Sequence, residues 1–219
     1  MKTAVIVFPG SNCDHDAYHV VKKILNKNAD FVWHKETSLQ KYDFILIPGG
    51  FSYGDYLRAG AIARFSPIMD EVIRVANQGT PVMGICNGFQ ILIESGLLPG
   101  ALINNNNVKF LSKNVTLKVS STSSIFTNNL KLDQRLKMPI AHRQGNFYAS
   151  NDLLKQLKDE DRIAFKYEKN PNGSMEDIAG IFNKSKNVLG MMPHPERASE
   201  ILLGSADGLA IFNSIVENF

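Results

Sequence analysis

Cysteine is scarce in this chain: it occurs twice in 219 residues, as Cys13 and Cys86. Two thiols cannot build a disulfide framework, and they exclude a metal centre made of several thiolates; a reducing cytoplasm is the compartment that fits. Long apolar runs are missing too. No stretch of about 18 apolar residues occurs, so no membrane-spanning helix is expected. The opening MKTAVIVFPGSN is apolar only briefly and has no small-residue cleavage pattern, so it reads as a first strand rather than a signal peptide. Excess charge is also slight. Lys+Arg total 24 against 21 Asp+Glu, a net charge of +3, which gives no electrostatic footing for nucleic acid or an anionic membrane. No two glycines are separated by a single residue, so a G-x-G-x-x-G dinucleotide fingerprint cannot occur. The one G-x-x-x-x-G of interest, Gly49 to Gly54, is followed by Asp55-Tyr56 instead of Lys-Ser/Thr, and H-E-x-x-H is absent. These absences argue against a self-contained ATP enzyme of the P-loop type.

What is present is ordinary globular material, 44% hydrophobic and 21% charged. A chain of this length can bury about 70% of its extended surface, and a single domain over residues 1–219 is expected. Thr3–Phe8, Asp43–Ile47, Pro81–Ile85 and Val188–Pro193 are short continuous apolar runs, the pattern of strands buried on both faces. Phe31–Trp33 is a further short strand. Helical spacing links Tyr18, Val21, Ile24 and Leu25, and then Ile62, Phe65, Met69, Val72, Ile73 and Ala76, a stripe interrupted at Pro67. A short helix is expected up to Glu94, with Gly96 as its stop. The first hundred residues therefore alternate strand and helix, which predicts an α/β fold: an open, mostly parallel sheet with helices on both faces. The second half reads as mixed or antiparallel. Val115, Leu117 and Val119 alternate with polar residues. Arg162–Glu168 and Asp177–Asn183 flank Asn170-Pro171-Asn172-Gly173 as a hairpin would. Asn104–Asn107 reads as a loop tip, and Leu209, Phe212, Val216 and Phe219 as a final amphipathic helix.

Gly84-Ile85-Cys86-Asn87-Gly88 has the form G-x-S-x-G with cysteine for serine, between a buried strand and a helix, which is the setting of a nucleophile elbow. There the thiol sits at a helix N-terminus, where the dipole and free N–H groups favour thiolate. The competing reading is a buried structural cysteine. A cysteine nucleophile needs a base. His194, in Met192-Pro-His-Pro-Glu-Arg197, follows another buried strand, and strand C-termini share one edge of a parallel sheet. An extended segment through Pro195 would point Glu196 the same way as His194, so that Glu196 fixes the imidazole tautomer. The competing reading is a surface histidine between prolines. Pro48-Gly49-Gly50-Phe51 also ends a buried strand; its backbone N–H groups, with that of Asn87, can form an oxyanion hole, or the segment is simply a glycine-rich turn. His15 and His19 are four residues apart, a metal-like spacing on one helix face, but Cys13 or Asp14 as a helix cap is the preferred reading of that segment, and no metal site is expected.

Pro81–Gln90 (PVMGICNGFQ), Pro48–Ala61 (PGGFSYGDYLRAGA) and Met191–Ala198 (MMPHPERA) together resemble the class I glutamine amidotransferases. More narrowly the chain is similar, from Phe8–Asp14 to Gly204–Leu209, to the small glutaminase subunits of phosphoribosylformylglycinamidine synthases, and the G-G-F-S-Y-G-D stretch points to that group. The resemblance implies Cys86 as nucleophile, His194 as base and Glu196 as its orienter. It implies Gly50 in the oxyanion hole and Gln90 in contact with glutamine, and Phe51 and Asn87 fall beside them as substrate-binding positions. Ala141-His142-Arg143-Gln144-Gly145 departs from the Ala-His-Gly-x-Gly usual there, a region that touches substrate or partner. The implied reaction is hydrolysis of L-glutamine to supply ammonia to a separate ATP- and Mg-using large synthetase subunit, with a small bridging subunit and no cofactor on this chain. Other readings are a stand-alone cysteine amidase of the same fold and a non-catalytic binding module.

Overall fold

The short apolar runs become neighbouring strands of one sheet. The computed structural model describes every residue, Met1–Phe219. In chain order the strands are β1 (Lys2–Val7), β2 (Asn28–Trp33), β3 (Phe44–Ile47), β4 (Val82–Ile85), β5 (Ala101–Ile103), β6 (Leu111–Val119), β7 (Arg135–His142), β8 (Asn146–Tyr148), β9 (Ile163–Tyr167), β10 (Ile178–Phe182) and β11 (Val188–Met191). The α-helices are α1 (Asp14–His19), α2 (Pro67–Asn77), α3 (Asn87–Glu94), α4 (Asn151–Asp159) and α5 (Leu209–Val216). Nine strands form one sheet in the order β2-β1-β3-β4-β11-β10-β9-β6-β7, while β5 and β8 pair separately. The first five are mutually parallel and the last four antiparallel. This is the α/β sheet expected, parallel where strand and helix alternate and antiparallel in the second half.

Strands β3, β4 and β11 are buried at every residue, as their unbroken apolar sequences require. Strand β2, at the sheet edge, leaves Phe31 and Trp33 exposed. A single cluster of 57 buried residues runs through both halves of the chain, with Phe44 and Phe126 in ring contact across them. The Asn170–Gly173 hairpin is present: Asn170 Oδ1 accepts from the N–H groups of Asn172 (3.2 Å) and Gly173 (2.8 Å) between β9 and β10. No helix is long and apolar enough to cross a membrane.

Several expectations need correction. Pro67 does not interrupt a helix; it starts α2 at the first helical position, where its missing N–H costs nothing. Phe65 belongs to a separate 3-10 turn and is exposed, so it is no part of the apolar stripe. The helix after β1 continues past His19 as one π turn, Val20–Ile24. Phe219 lies exposed beyond the end of α5. Asn104–Asn107 is more than a loop tip. Asn105 is buried and its amide ties the loop down, Nδ2 donating to Lys109 O (2.8 Å) and His142 O (2.9 Å). The sequence pattern predicts neither strands β5, β7 and β8 nor helix α4; α4 is capped by Ser150 Oγ, which accepts from Leu153 N–H at 3.2 Å.

Candidate active site

The carboxyl ends of β3, β4 and β11 converge at one edge of the sheet, the edge where open α/β sheets bind ligands. Strand β4 delivers Cys86, which stands as the residue before α3 with φ 52 and ψ −105. That backbone conformation is rare for a side chain larger than glycine and costs on the order of 1–3 kcal/mol, which the surrounding packing must enforce. The flanking glycines explain how it is enforced. A Cβ on Gly88 would lie 2.0 Å from Ile47 O, and one on Gly84 would lie 2.6 Å from Gly88 C. Only hydrogen at these two positions lets β3, β4 and α3 close together around the turn. The Cys86 thiol is 3.5 Å from Ala141 O of β7.

His194 and Glu196 follow β11. Glu196 belongs to a 3-10 turn, Pro195–Ala198, rather than to the extended segment expected, yet the two side chains still meet. His194 Nδ1 and Glu196 Oε1 are 2.6 Å apart, and both side chains are buried. An ionised carboxylate only accepts, so Nδ1 carries the proton and Nε2 presents its lone pair. Nε2 has no hydrogen-bond partner in the chain. The backbone of His194 is fixed by its N–H to Pro139 O of β7, at 2.9 Å. Thus β7, last in the sheet order, supplies carbonyls to both the Cys86 thiol and the His194 backbone.

Gly49 marks how closely these groups gather. A carbon on its Cα would lie 2.8 Å from His194 Cε1, 3.2 Å from Cys13 Sγ and 3.3 Å from Cys86 Cβ. Burial works against a charged His194, but the charges of the Glu196 carboxylate and of a Cys86 thiolate outweigh it, so the imidazole is raised well above its ordinary value and holds a proton taken from the thiol.

Cys13 is the unexpected member. It occupies the position before α1, but its side chain caps nothing. Its Sγ accepts from Arg197 Nη2 at 3.2 Å, and Arg197 Nε donates to Asp16 Oδ2 at 3.0 Å. Burial pushes the Cys13 thiol up, with His194 opposing. Ligand-type atoms of Cys13, His194 and Glu196 fall within 4.8 Å of one another. The guanidinium against the sulfur and the hydrogen bond joining His194 to Glu196 fit an organic hydrogen-bonded network better than a dication. His15 and His19 do not act together: His15 is exposed against the Phe31 ring, and His19 Nε2 meets Glu200 Oε1 at 2.6 Å.

In front of the thiol lies a cleft of about 370 Å³, within the usual range for small-molecule sites. Gly50, Phe51, Gln90, Arg143 and Asp55 line it beside Cys86. Phe51 N–H is taken by Gly10 O at 3.1 Å, whereas the N–H groups of Gly50 and Asn87 are not spent on any backbone carbonyl. The Asn87 side chain ties the elbow to the glycine-rich loop: Oδ1 accepts from Ser52 N–H (3.1 Å) and Nδ2 donates to Gln90 Oε1 (2.9 Å). Gln90 Nε2 donates to Gln144 O at 2.7 Å, so both ends of that amide are already engaged. In the His142–Gly145 segment, Gln144 Oε1 accepts from Ala59 N–H (3.2 Å) and Arg143 is exposed at the cleft. His142 is buried with Nδ1 on Asn105 Oδ1 at 3.1 Å, and burial together with the His194 charge lowers it to about 4. Asp55 closes the G-G-F-S-Y-G-D stretch, but no local sequence pattern points to a role for it at the cleft.

Comparison with known proteins agrees with this architecture. The family model described as a CobB/CobQ-like glutamine amidotransferase domain matches residues 1–206. A chain of the PurLQS structure from Thermotoga maritima is 45% identical, covers 99% of this chain and 98% of its own length, and superposes with a TM-score of 0.92. Two more distant structures share the fold. A glutamine amidotransferase from Thermotoga maritima is 17% identical, with 100% and 97% of the two chains covered and a TM-score of 0.63. The glutaminase domain of Trypanosoma brucei CTPS with bound acivicin is 15% identical, with 99% and 94% covered and a TM-score of 0.61. With one model spanning nearly all of the chain and a relative of such identity superposing along its whole length, this protein belongs to the CobB/CobQ-like glutamine amidotransferase family.

Proposed function

We propose that this chain hydrolyses L-glutamine through Cys86, His194 and Glu196 and passes the ammonia to a synthetase polypeptide that makes formylglycinamidine ribonucleotide from formylglycinamide ribonucleotide in purine biosynthesis. The observation that carries the chemistry is the 2.6 Å contact of Glu196 with His194 Nδ1, which leaves Nε2 free beside a thiol on a strained elbow. The 45%-identical chain from a structure described as PurLQS supports the assembly. In this reading ATP and Mg²⁺ are used by a large synthetase subunit, joined by a small bridging subunit, and this chain binds neither.

His194 Nε2 takes the proton of Cys86, and the thiolate attacks the amide carbon of glutamine. The Gly50 and Asn87 N–H groups face the oxyanion that forms. His194 returns the proton to the amide nitrogen, the C–N bond breaks, and ammonia leaves behind a glutamyl thioester. His194 then deprotonates a water that attacks the thioester, and the C–S bond breaks to release glutamate. Phe51 and Gln90 line the cleft as substrate contacts, with Gln90 acting through its bonds to Asn87 and Gln144.

The test uses the reconstituted complex with Cys86→Ala. Synthesis driven by glutamine should disappear, while ATP-dependent synthesis from ammonium salt at mildly alkaline pH should persist. The isolated chain should hydrolyse glutamine slowly and accelerate when its partners bind. A lone chain with full turnover, indifferent to partners, would instead be a stand-alone amidase. Equal activity of wild type and Cys86→Ala with both nitrogen sources would leave only a binding module.

A further inference from the structure

The proposed substrate is a free amino acid, and its reacting amide is the end remote from its charges. Once that amide lies at Cys86, an ammonium and a carboxylate remain to be received elsewhere in the same cleft. The residues lining the cleft include one carboxylate, Asp55, and one guanidinium, Arg143.

Asp55 and Glu196 are the two acids of this chain with a buried oxygen lacking a hydrogen-bond partner, but the second oxygen of Glu196 is bonded to His194. In Asp55 the unpartnered oxygen is Oδ1. Burial alone pushes its carboxyl up to about 6, with no protein charge or donor opposing the shift. A cation is close in sequence but turned elsewhere: Arg58 gives both Nε and Nη2 to Glu94, each at 2.6 Å. Nor do Asp55 and Arg143 pair with each other; neither takes part in any ion pair of the molecule. The backbone around Asp55 is held off the common conformations, with Tyr53 at φ 52, Gly54 at φ 68 and Asp55 at φ 55. A carboxylate with a buried, unpartnered oxygen, on a left-handed turn lining the same cleft as Cys86, is a cost to folding that calls for a ligand of opposite charge.

We propose that Asp55 receives the α-ammonium group of the amino-acid substrate, so that the cleft selects glutamine by its charged head as well as by its amide. This rests on the reading of the site as a glutaminase. An ammonium on Asp55 supplies the donor that Oδ1 lacks, and the unpaired Arg143 stays free for the α-carboxylate. A charge-assisted hydrogen bond of this kind corresponds to a selectivity of about 10- to 100-fold.

The experiment compares wild type and Asp55→Asn, each copurified with its partners, on three compounds. These are L-glutamine, glutaric acid monoamide (which lacks the α-ammonium) and 4-aminobutanamide (which lacks the α-carboxylate). Turnover gives kcat/KM, and competition against L-glutamine gives an inhibition constant for either analogue that is not turned over. Asp55→Asn should weaken L-glutamine and 4-aminobutanamide by the same factor, about 10- to 100-fold and chiefly in KM, and should leave glutaric acid monoamide unchanged. Asp55→Glu should recover part of the loss. Equal effects on all three compounds, or none, would overturn the assignment. So would an unchanged KM together with weakened binding of the partner subunits, which would make Asp55 a docking residue. If the assembled wild type turns over no glutamine at all, the glutaminase reading falls and this assignment with it; normal glutamine turnover that is insensitive to Asp55→Asn removes the assignment alone.

Discussion

His194 Nδ1 and Glu196 Oε1 stand 2.6 Å apart with both side chains buried, on a turn where only Pro195 separates the two residues. This short loop fixes which imidazole nitrogen carries the proton before any substrate arrives. Glu196→Gln keeps the volume but removes the charge that balances an imidazolium. The expected outcome is a folded protein, checked by circular dichroism, whose glutamine hydrolysis falls by a factor on the order of 10² or more. Wild-type turnover in a well-folded Glu196→Gln protein would remove Glu196 from the reaction.

Both cysteines lie beside His194, so labelling can tell them apart. Burial pushes the Cys13 thiol up and a guanidinium already donates to its sulfur, whereas Cys86 opens on the cleft. A glutamine-like electrophile should alkylate Cys86 and spare Cys13, with the adduct located by peptide mass spectrometry. Preferential labelling of Cys13 would make it the nucleophile instead.

Gly88 is in contact with backbone, not with a movable side chain. Adding one methyl group there meets Ile47 O at 2.0 Å, so β3 or α3 must shift. Gly88→Ala should lose at least about 1–3 kcal/mol in denaturant titration, and with it the elbow geometry and glutamine hydrolysis. A variant of native stability and activity would show that the elbow tolerates a wider spacing than its close packing implies.

Two groups of the cleft give stability opposite pH dependences. His142 is held neutral in the fold down to about 4, against an unfolded value near 6.5. Between those values the unfolded chain binds the extra proton, so stability is full above pH 6.5 and falls as pH drops towards 4, by up to about 3 kcal/mol. Asp55 runs the other way. Its folded carboxyl, at about 6, binds a proton that the unfolded one, near 3.8, does not, so its penalty is largest above pH 6 and fades as pH falls towards 4. Thermal melts of wild type, His142→Gln and Asp55→Asn across pH 4–8 separate the two. Asp55→Asn should melt above wild type at pH 7.5 and lose that advantage in acid. His142→Gln should lose less stability than wild type on acidification. Parallel curves for all three proteins would contradict both assignments.

Much of the local structure was legible in the sequence because it rests on short-range rules. Unbroken apolar runs of four to six residues have only one place to go, the interior of a parallel sheet, and β1, β3, β4 and β11 went there. Glycines on either side of Cys86 announce a turn too tight for any Cβ, and proximity in sequence alone was enough to bring Glu196 to His194. Tertiary structure decided what meets these elements from far along the chain. Carbonyls of Pro139 and Ala141, on the last strand of the sheet order, reach His194 and Cys86, and no local pattern ties those residues together. Cys13 looked like a helix cap, but its side chain turned towards the imidazole, where Arg197 could donate to it. Asn105 sat in a run of asparagines that resembles any solvated loop, and it is buried because His142 and Gly145 offer donors to its oxygen. Asp55 shows the same division most sharply. Its place in a glycine-rich turn follows from sequence, but whether a carboxylate there is paired or left without a partner depends on where every cation of the fold ends up, and Arg58 went to Glu94.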